Sequence, residues 1–336
     1  MVDRPRLPWQ TMDDTLDLRP ERIDRAAAII DPVFLDSPQF VDEQLSARIG
    51  TELLVKLETA NPLHSFKGRG ACALLHGIPP GSSVVCDSGG NFGQAVAYAG
   101  RSRGVDVTVF VGPDVDPGKA SRMRDFGARV YEVDGDTAVA ARQHAAEQPD
   151  RVLVRDGRDP AICEGAGTIG RELLRDARGF DTVVVPVGDG ALIAGIGCWL
   201  EAYAPQVRVV GVCAEGSPAM ARAWRTGEID DAGHASDIGT IATTLANPAP
   251  IPESLRRLRA LVDDIVLVDD AALRQGMALA ADTLGVLLEP AGAAAIAALA
   301  TAELATERAA VVLTGSNPAP ELAREVLGAS TVPSQR

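Results

Sequence analysis

The sequence predicts an α/β protein built from two doubly wound domains with mostly parallel sheets. Short β-rich apolar runs alternate with longer helical patterns almost throughout the chain, the signature of strands joined by crossover helices. The strand-like runs, such as Val183-Val184-Val185 and Ala310-Val311-Val312-Leu313, are apolar without interruption. That is expected where helices cover both sheet faces. Two turn clusters, Pro79-Pro80-Gly81 and Arg155-Asp156-Gly157-Arg158-Asp159-Pro160, bracket one β-α set. Residues 78–158 are therefore expected to form a small α/β domain, and residues 1–77 with 159–336 a large one.

The elements follow in order. A helical pattern at 21–30 precedes a strand at 53–57, which ends in a proline-containing turn and a helix at 68–76. A strand at 83–87 runs through a glycine turn into a helix at 92–102. Strands at 106–111, 129–133 and 152–155 surround a helix at 138–146. A helix at 167–176 leads to a strand at 182–187, a second glycine turn and a helix at 192–203. The remainder reads as a strand at 207–212, a helix at 217–226, a rigid proline-rich connector at 247–252, a strand at 264–268, helices at 270–283 and 291–304, and a strand at 310–314. The tail 330–336 is expected to fray.

The chain has 336 residues, enough to bury a large core, with 46% hydrophobic and 23% charged residues and a net charge of -14. Such acidity argues against nucleic acid and anionic membranes as partners. It permits an anionic cofactor, because backbone amides bind phosphate locally. Five dispersed cysteines without a CxxC pair suit reduced, buried thiols in the cytoplasm. No stretch approaches a transmembrane length, and the four histidines lack metal-ligand spacing, so no structural metal is expected. Too few residues follow Asn317 for an appended regulatory domain to be expected.

Four segments carry chemistry. In His64-Ser65-Phe66-Lys67-Gly68-Arg69-Gly70, a lysine sits in a small-residue turn that opens an apolar helix. Most lysines are solvated surface residues. One that is partly desolvated and rigidly held can act as a nucleophile. In Ser88-Gly89-Gly90-Asn91-Phe92, a glycine turn leads into a helix whose free amides and positive end suit a carboxylate. Gly188-Asp189-Gly190-Ala191-Leu192 repeats the strand-turn-helix arrangement that cradles phosphate. The apolar strand near the end of the chain stops at Thr314-Gly315-Ser316-Asn317.

Together these segments resemble the fold-type II pyridoxal phosphate enzymes: serine/threonine dehydratases, threonine synthases and cysteine synthases, with the tryptophan synthase β-like fold. The similarity runs from about Pro32 to Asn317 and includes Glu164-Gly165-Ala166-Gly167-Thr168, Thr240-Ile241-Ala242 and Leu288-Glu289-Pro290-Ala291-Gly292. The resemblance implies pyridoxal 5'-phosphate in the cleft between the domains, carried by Lys67 as a Schiff base with Phe66 beside it. It assigns Asn91 to the cofactor's phenolic oxygen. Gly188, Asp189, Gly190, Ala191 and Leu192 fall to its phosphate, and Thr314 (or else Ser316) to its pyridine nitrogen. Ser88, Gly89, Gly90, Asn91, Phe92 and His64 would face the substrate. The implied activity is β-elimination from an amino acid such as L-serine or L-threonine, in a cytoplasmic homodimer. A β- or γ-replacement synthase and a non-catalytic binding protein are the alternatives.

The substrate shell departs from the dehydratase pattern. His64 replaces the usual glycine, Phe92 a histidine, and Thr243-Thr244 an Asp-Gly pair. Asn61-Pro62 and Glu164-Gly165 lean toward threonine synthases. Asp189 replaces a glycine of the phosphate turn, where its charge would repel phosphate unless the side chain turns away to cap the helix. Gly89 stands where some family racemases carry a serine. Ala221, six residues after Glu215, stands where metal-activated relatives carry a carboxylate, so no catalytic metal is expected.

Overall fold

The computed structural model describes residues 16–229, 238–247, 249–302 and 304–329. The tail 330–336 lies outside them. In chain order the elements are α1 (Pro20–Ile29), β1 (Gln39–Val41), α2 (Glu43–Ile49), β2 (Glu52–Leu57), α3 (Lys67–His76), β3 (Ser83–Asp87), α4 (Asn91–Arg103), β4 (Asp106–Val111), α5 (Pro117–Asp125), β5 (Arg129–Glu132), α6 (Thr137–Ala146) and β6 (Arg151–Leu153). They continue with α7 (Pro160–Leu173), β7 (Thr182–Pro186), α8 (Ala191–Tyr203), β8 (Arg208–Ala214), α9 (Ala219–Thr226), α10 (Pro252–Leu261), β9 (Asp264–Val268), α11 (Asp270–Leu284), α12 (Pro290–Thr301), β10 (Arg308–Leu313) and α13 (Pro320–Ala329).

One sheet has the order β1-β2-β10-β7-β8-β9 and the other β5-β4-β3-β6. Every pair is parallel except β1 with β2. The antiparallel β1 is three residues long, too short to leave a pattern in the sequence. In open parallel sheets, ligands gather at the carboxyl ends of the strands. Here β2, β10 and β7 are neighbours, and they lead respectively toward Lys67, into Thr314 and into the glycine turn before α8. In the second sheet β3 leads into the Ser88–Asn91 turn.

Several boundaries differ from the sequence expectation. Helix α7 opens at Pro160, not Gly167, because its glycines are packing positions. A Cβ on Gly165 would lie 2.5 Å from the Arg69 carbonyl oxygen, and one on Gly167 2.8 Å from that of Gly195. The glycines thus let α7 lie close against α3 and α8. Helix α5 escapes the apolar pattern because it buries only Ala120 and Met123. The expected connector at 247–252 ends inside a helix, since Pro252 occupies the first turn of α10, where its missing N–H costs nothing. Helices α2 and α13 were likewise not expected. Strand β6 stops at Leu153, which leaves Arg155-Asp156-Gly157 in the link into α7.

Candidate active site

Lys67, Phe66, Asn91, Gly188, Asp189, Gly190, Ala191, Leu192 and Thr314 line one cavity, of about 430 Å³ including its open mouth. Pro186, Thr244, Leu245, Glu289 and Ala291 complete its wall. Segments far apart in sequence meet because the parallel strands carry them to the same end of the sheets.

Lys67 is the first residue of α3. Its amine touches the Asp156 carboxylate, with both side chains largely buried, and lies 4.7 Å from the centroid of the Phe66 ring, within cation–π range. A side chain at the next position, Gly68, would collide with Phe34, whose ring atoms lie 2.4–2.6 Å from an added Cβ. Behind the helix, Arg69 is fully buried. Its guanidinium donates to both oxygens of Glu58 (2.8 Å each), to both oxygens of Glu172 (2.6 and 2.9 Å) and to Thr168 Oγ1 (2.9 Å). Lys56 Nζ joins at Glu172 Oε2, 2.5 Å away. Burial opposes ionisation of Glu172, but the bonds and charges of Arg69 and Lys56 outweigh it and hold the carboxyl down at about 2. This network anchors α3 to β2 and α7, and with them the lysine.

Asn91 is held from both sides. Its Oδ1 accepts from Asn317 Nδ2 (2.8 Å), and its Nδ2 donates to Glu289 Oε1 (2.8 Å). Asn317 in turn accepts from Arg122 of α5 (3.0 Å). One amide hydrogen of Asn91 is left for a ligand. Glu289 Oε1 also accepts from Thr244 Oγ1 (3.3 Å), while Glu289 Oε2 is buried without a partner among the described residues.

Two of the helices that start at the cavity, α4 and α8, have no side-chain cap. Glycine is the N-cap of both: Gly90 for α4, and Gly190, at φ +89°, for α8. Their first-turn amides are therefore available to an anion. The Asp189 side chain points in a different direction than a cap of α8 would take it. Its Oδ1 accepts from Asn247 Nδ2 (3.2 Å), and its Cβ lies only 3.0 Å from where a side chain on Gly157 would begin. The Asp189 side chain is exposed to the cleft, yet crowding by the cleft walls, then the Asp156 charge, push it up to about 7 against the pull of Lys67 and Arg155.

The remaining expected residues divide. Thr314 Oγ1 lies 3.4 Å from the Ala291 carbonyl oxygen and lines the cavity, whereas Ser316 Oγ turns away to donate to the Leu287 carbonyl. Ser88 Oγ accepts from the Gly90 amide at 3.3 Å, which shapes the turn. Gly90 faces Thr244, whose Cγ2 would lie 3.7 Å from an added Cβ. Phe92 is buried in the apolar core, and neither it nor His64, Ser88, Gly89 or Gly90 lines the cavity wall. His64 adopts φ +50°, a left-handed conformation that glycine takes without strain. Asp156, Thr244, Glu289 and Asn317 are the site residues sequence reasoning passed over. Thr244 and Glu289 stood within quoted motifs, but only the fold shows that Glu289 Oε1 accepts from both Asn91 and Thr244.

Residues 36–315 match the family model for pyridoxal-phosphate dependent enzymes. The chain is 34% identical to the phenylserine dehydratase of Ralstonia pickettii, across 80% of its own length and 83% of the relative's. It is 32% identical to the biosynthetic L-threonine dehydratase of Escherichia coli (strain K12), where 82% of this chain spans 55% of the relative. Among solved structures, a threonine deaminase from T.th. superposes with a TM-score of 0.83 at 28% identity, covering 90% of this chain and 99% of that one.

Proposed function

Because the chain belongs to the pyridoxal-phosphate dependent enzymes, we propose that it is a lyase that removes the β-hydroxyl of a β-hydroxy-L-amino acid, releasing a 2-oxo acid and ammonia. The names of its relatives, a phenylserine dehydratase and a threonine dehydratase, support that substrate class. The observation that carries the reading is the convergence of Lys67, Asn91, the 188–192 turn and Thr314 on one cavity.

The cavity fits pyridoxal phosphate by its unused bonding capacity. The uncapped amides of α8 suit the phosphate, the spare Asn91 hydrogen a phenolic oxygen, the Thr314 hydroxyl a ring nitrogen, and Lys67 the aldehyde carbon. When bound, the cofactor supplies an electron-withdrawing carbon for amines and lowers the cost of negative charge at the substrate Cα. The chain's own residues do the rest. The free first-turn amides of α4, with Ser88 shaping the turn before them, receive the substrate carboxylate. The Lys67 amine takes the Cα proton as that bond breaks, and the electron pair left behind expels the β-hydroxyl, which departs as water. Thr314 offers a neutral hydroxyl rather than a carboxylate, so it does not promote protonation of the ring nitrogen. Charge at Cα is then short-lived, and elimination is favoured over transamination.

The division at residues 78–158, a homodimeric assembly and a cytoplasmic location belong to the same proposal. The five cysteines are free and buried, which suits a reducing compartment. No helix among the described residues is long and apolar enough to cross a membrane.

The test is to incubate the cofactor-loaded protein with L-serine, L-threonine and L-phenylserine, and to assay 2-oxo acid and ammonia. Equimolar release from at least one is expected. If product formed from all three only after a second nucleophile was added, the reading would give way to a replacement synthase.

A further inference from the structure

The link between β6 and α7 presses a carboxylate onto the catalytic lysine. Asp156 Oδ2 touches Lys67 Nζ, and the other oxygen, Oδ1, accepts from the Gly157 amide at 3.1 Å. The segment is tightly built. Gly157, at φ +73°, has no room for a side chain between the Asp189 backbone and Ser254. Its carbonyl accepts from Arg257 Nη1 (2.6 Å) and Ser254 Oγ (3.1 Å), and Arg257 is itself buried and paired with Asp17. Helix α10 and the turn at Asp189 therefore fix the link that carries Asp156. The charged groups facing this corner are Lys67, Asp189, Arg155 and Asp87. Of these, only Lys67 makes a direct ion pair with Asp156 among the described residues.

We propose that Asp156 is a positioning residue of the reaction, an anion that holds the Lys67 nitrogen in place and stabilises it while it carries the proton taken from the substrate Cα. Asp156 itself takes up no proton in the step. The Cα–H bond breaks, the N–H bond forms on Lys67, and the same proton leaves with the β-hydroxyl as water. An opposite charge within hydrogen-bond distance favours the charged form of its partner. Removing it should slow the step that creates the ammonium more than it weakens substrate binding.

This inference rests on the proposed lyase reading but is tested separately from it. Asp156→Asn and Asp156→Glu are compared with the unaltered protein, all loaded with pyridoxal phosphate. The first measurement needs no turnover: the pH at which the visible absorption of the lysine-linked cofactor converts between its protonated and neutral forms. In Asp156→Asn this should fall by about one pH unit, and Asp156→Glu should restore most of the difference. The second measurement uses Cα-deuterated substrate. In Asp156→Asn, kcat should fall by at least tenfold with KM within about threefold, and the isotope effect on kcat should rise. Borohydride-fixed cofactor at Lys67, quantified by mass spectrometry, shows whether the variants load. An unchanged absorption midpoint in loaded Asp156→Asn overturns the proposal. So does loss of kcat that Glu fails to restore. If the unaltered protein releases no 2-oxo acid, the lyase reading fails, while the absorption shift still decides the role of Asp156.

Discussion

Two charged regions flank helix α3, and they are built to opposite rules. Behind the helix, Lys56, Glu58, Arg69 and Glu172 are buried, and each is paired. In front of it, the cavity keeps a partnerless Glu289 oxygen, two helix starts capped only by glycine, and two carboxylates, Asp156 and Asp189, close enough that the charge of the first raises the proton affinity of the second. Elsewhere the same chain caps helices with aspartate, as at Asp42, Asp116, Asp136, Asp159 and Asp269. The cavity, by contrast, opens on two helix starts that no side chain caps. The frame behind α3 pairs its own charges, and the site in front leaves capacity for a ligand.

The contrast breaks most completely at Lys67. Lys67→Ala should lower turnover by several orders of magnitude and remove any borohydride-reducible cofactor link, because no other amine among the described residues lines the cavity. A variant that retained a reducible link would place the nucleophile elsewhere.

On the frame side the corresponding change is Arg69→Met. It strands Glu58 in the core and leaves Glu172 paired with Lys56 alone, and losing one partner of a buried ion pair costs about 3–5 kcal/mol. Urea unfolding should show that loss as a lower midpoint. The pH dependence carries a matching sign. The folded-state Glu172 carboxyl lies at about 2 against an ordinary 4.5. Its contribution is fully present above the ordinary value and is lost as pH falls toward 2. Acid unfolding of the unaltered protein, followed by circular dichroism, should therefore steepen within that window, and an acid-insensitive fold there would dissolve the argument.

The site side is sharpened by Asp189. Its carboxyl sits in the expected phosphate turn and titrates near 7 in the cofactor-free protein, so it is mostly neutral below that pH and ionised above it. Affinity for pyridoxal phosphate should weaken as pH rises through 7, because the ionised side chain repels the phosphate. Asp189→Asn should flatten that dependence, with a difference on the order of tenfold in Kd at about pH 8. Parallel pH profiles for the two proteins, measured by fluorescence titration of cofactor, would mean that Asp189 keeps its charge away from the phosphate.

What the sequence made legible, and what it hid, follows the same division. Strand-turn-helix units announce themselves through contiguous residues, so the expected strands 83–87, 106–111 and 264–268 agree with β3, β4 and β9 residue for residue. The segments around Lys67, Asn91, Asp189 and Thr314 do meet at one cavity. Glycines misled where they serve packing, as in α7, because a glycine against a neighbouring helix looks in sequence like a glycine in a turn. Asp156 was hidden more deeply. It reads as one acidic residue in a polar turn, and only the path of the link from β6 to α7 brings it to Lys67, 89 positions away.

His64 offers the smallest and most discriminating change. Its place in the sequence suggests a substrate contact, but its side chain is absent from the cavity wall. The backbone at φ +50° costs a non-glycine residue up to about 1–2 kcal/mol. His64→Gly would relieve that strain while adding about 0.5–1 kcal/mol of backbone entropy to the unfolded chain. The Asn317 contact of the ring would also be lost. These terms nearly cancel, so stability should move by less than about 1 kcal/mol. KM for the preferred amino acid should stay within about threefold, since the groups at the start of α4 proposed to meet the substrate carboxylate are untouched. A KM change of tenfold or more with unaltered stability would mean that His64 swings into the cavity once substrate arrives. The boundary between frame and site would then have to be redrawn to include the turn before Lys67.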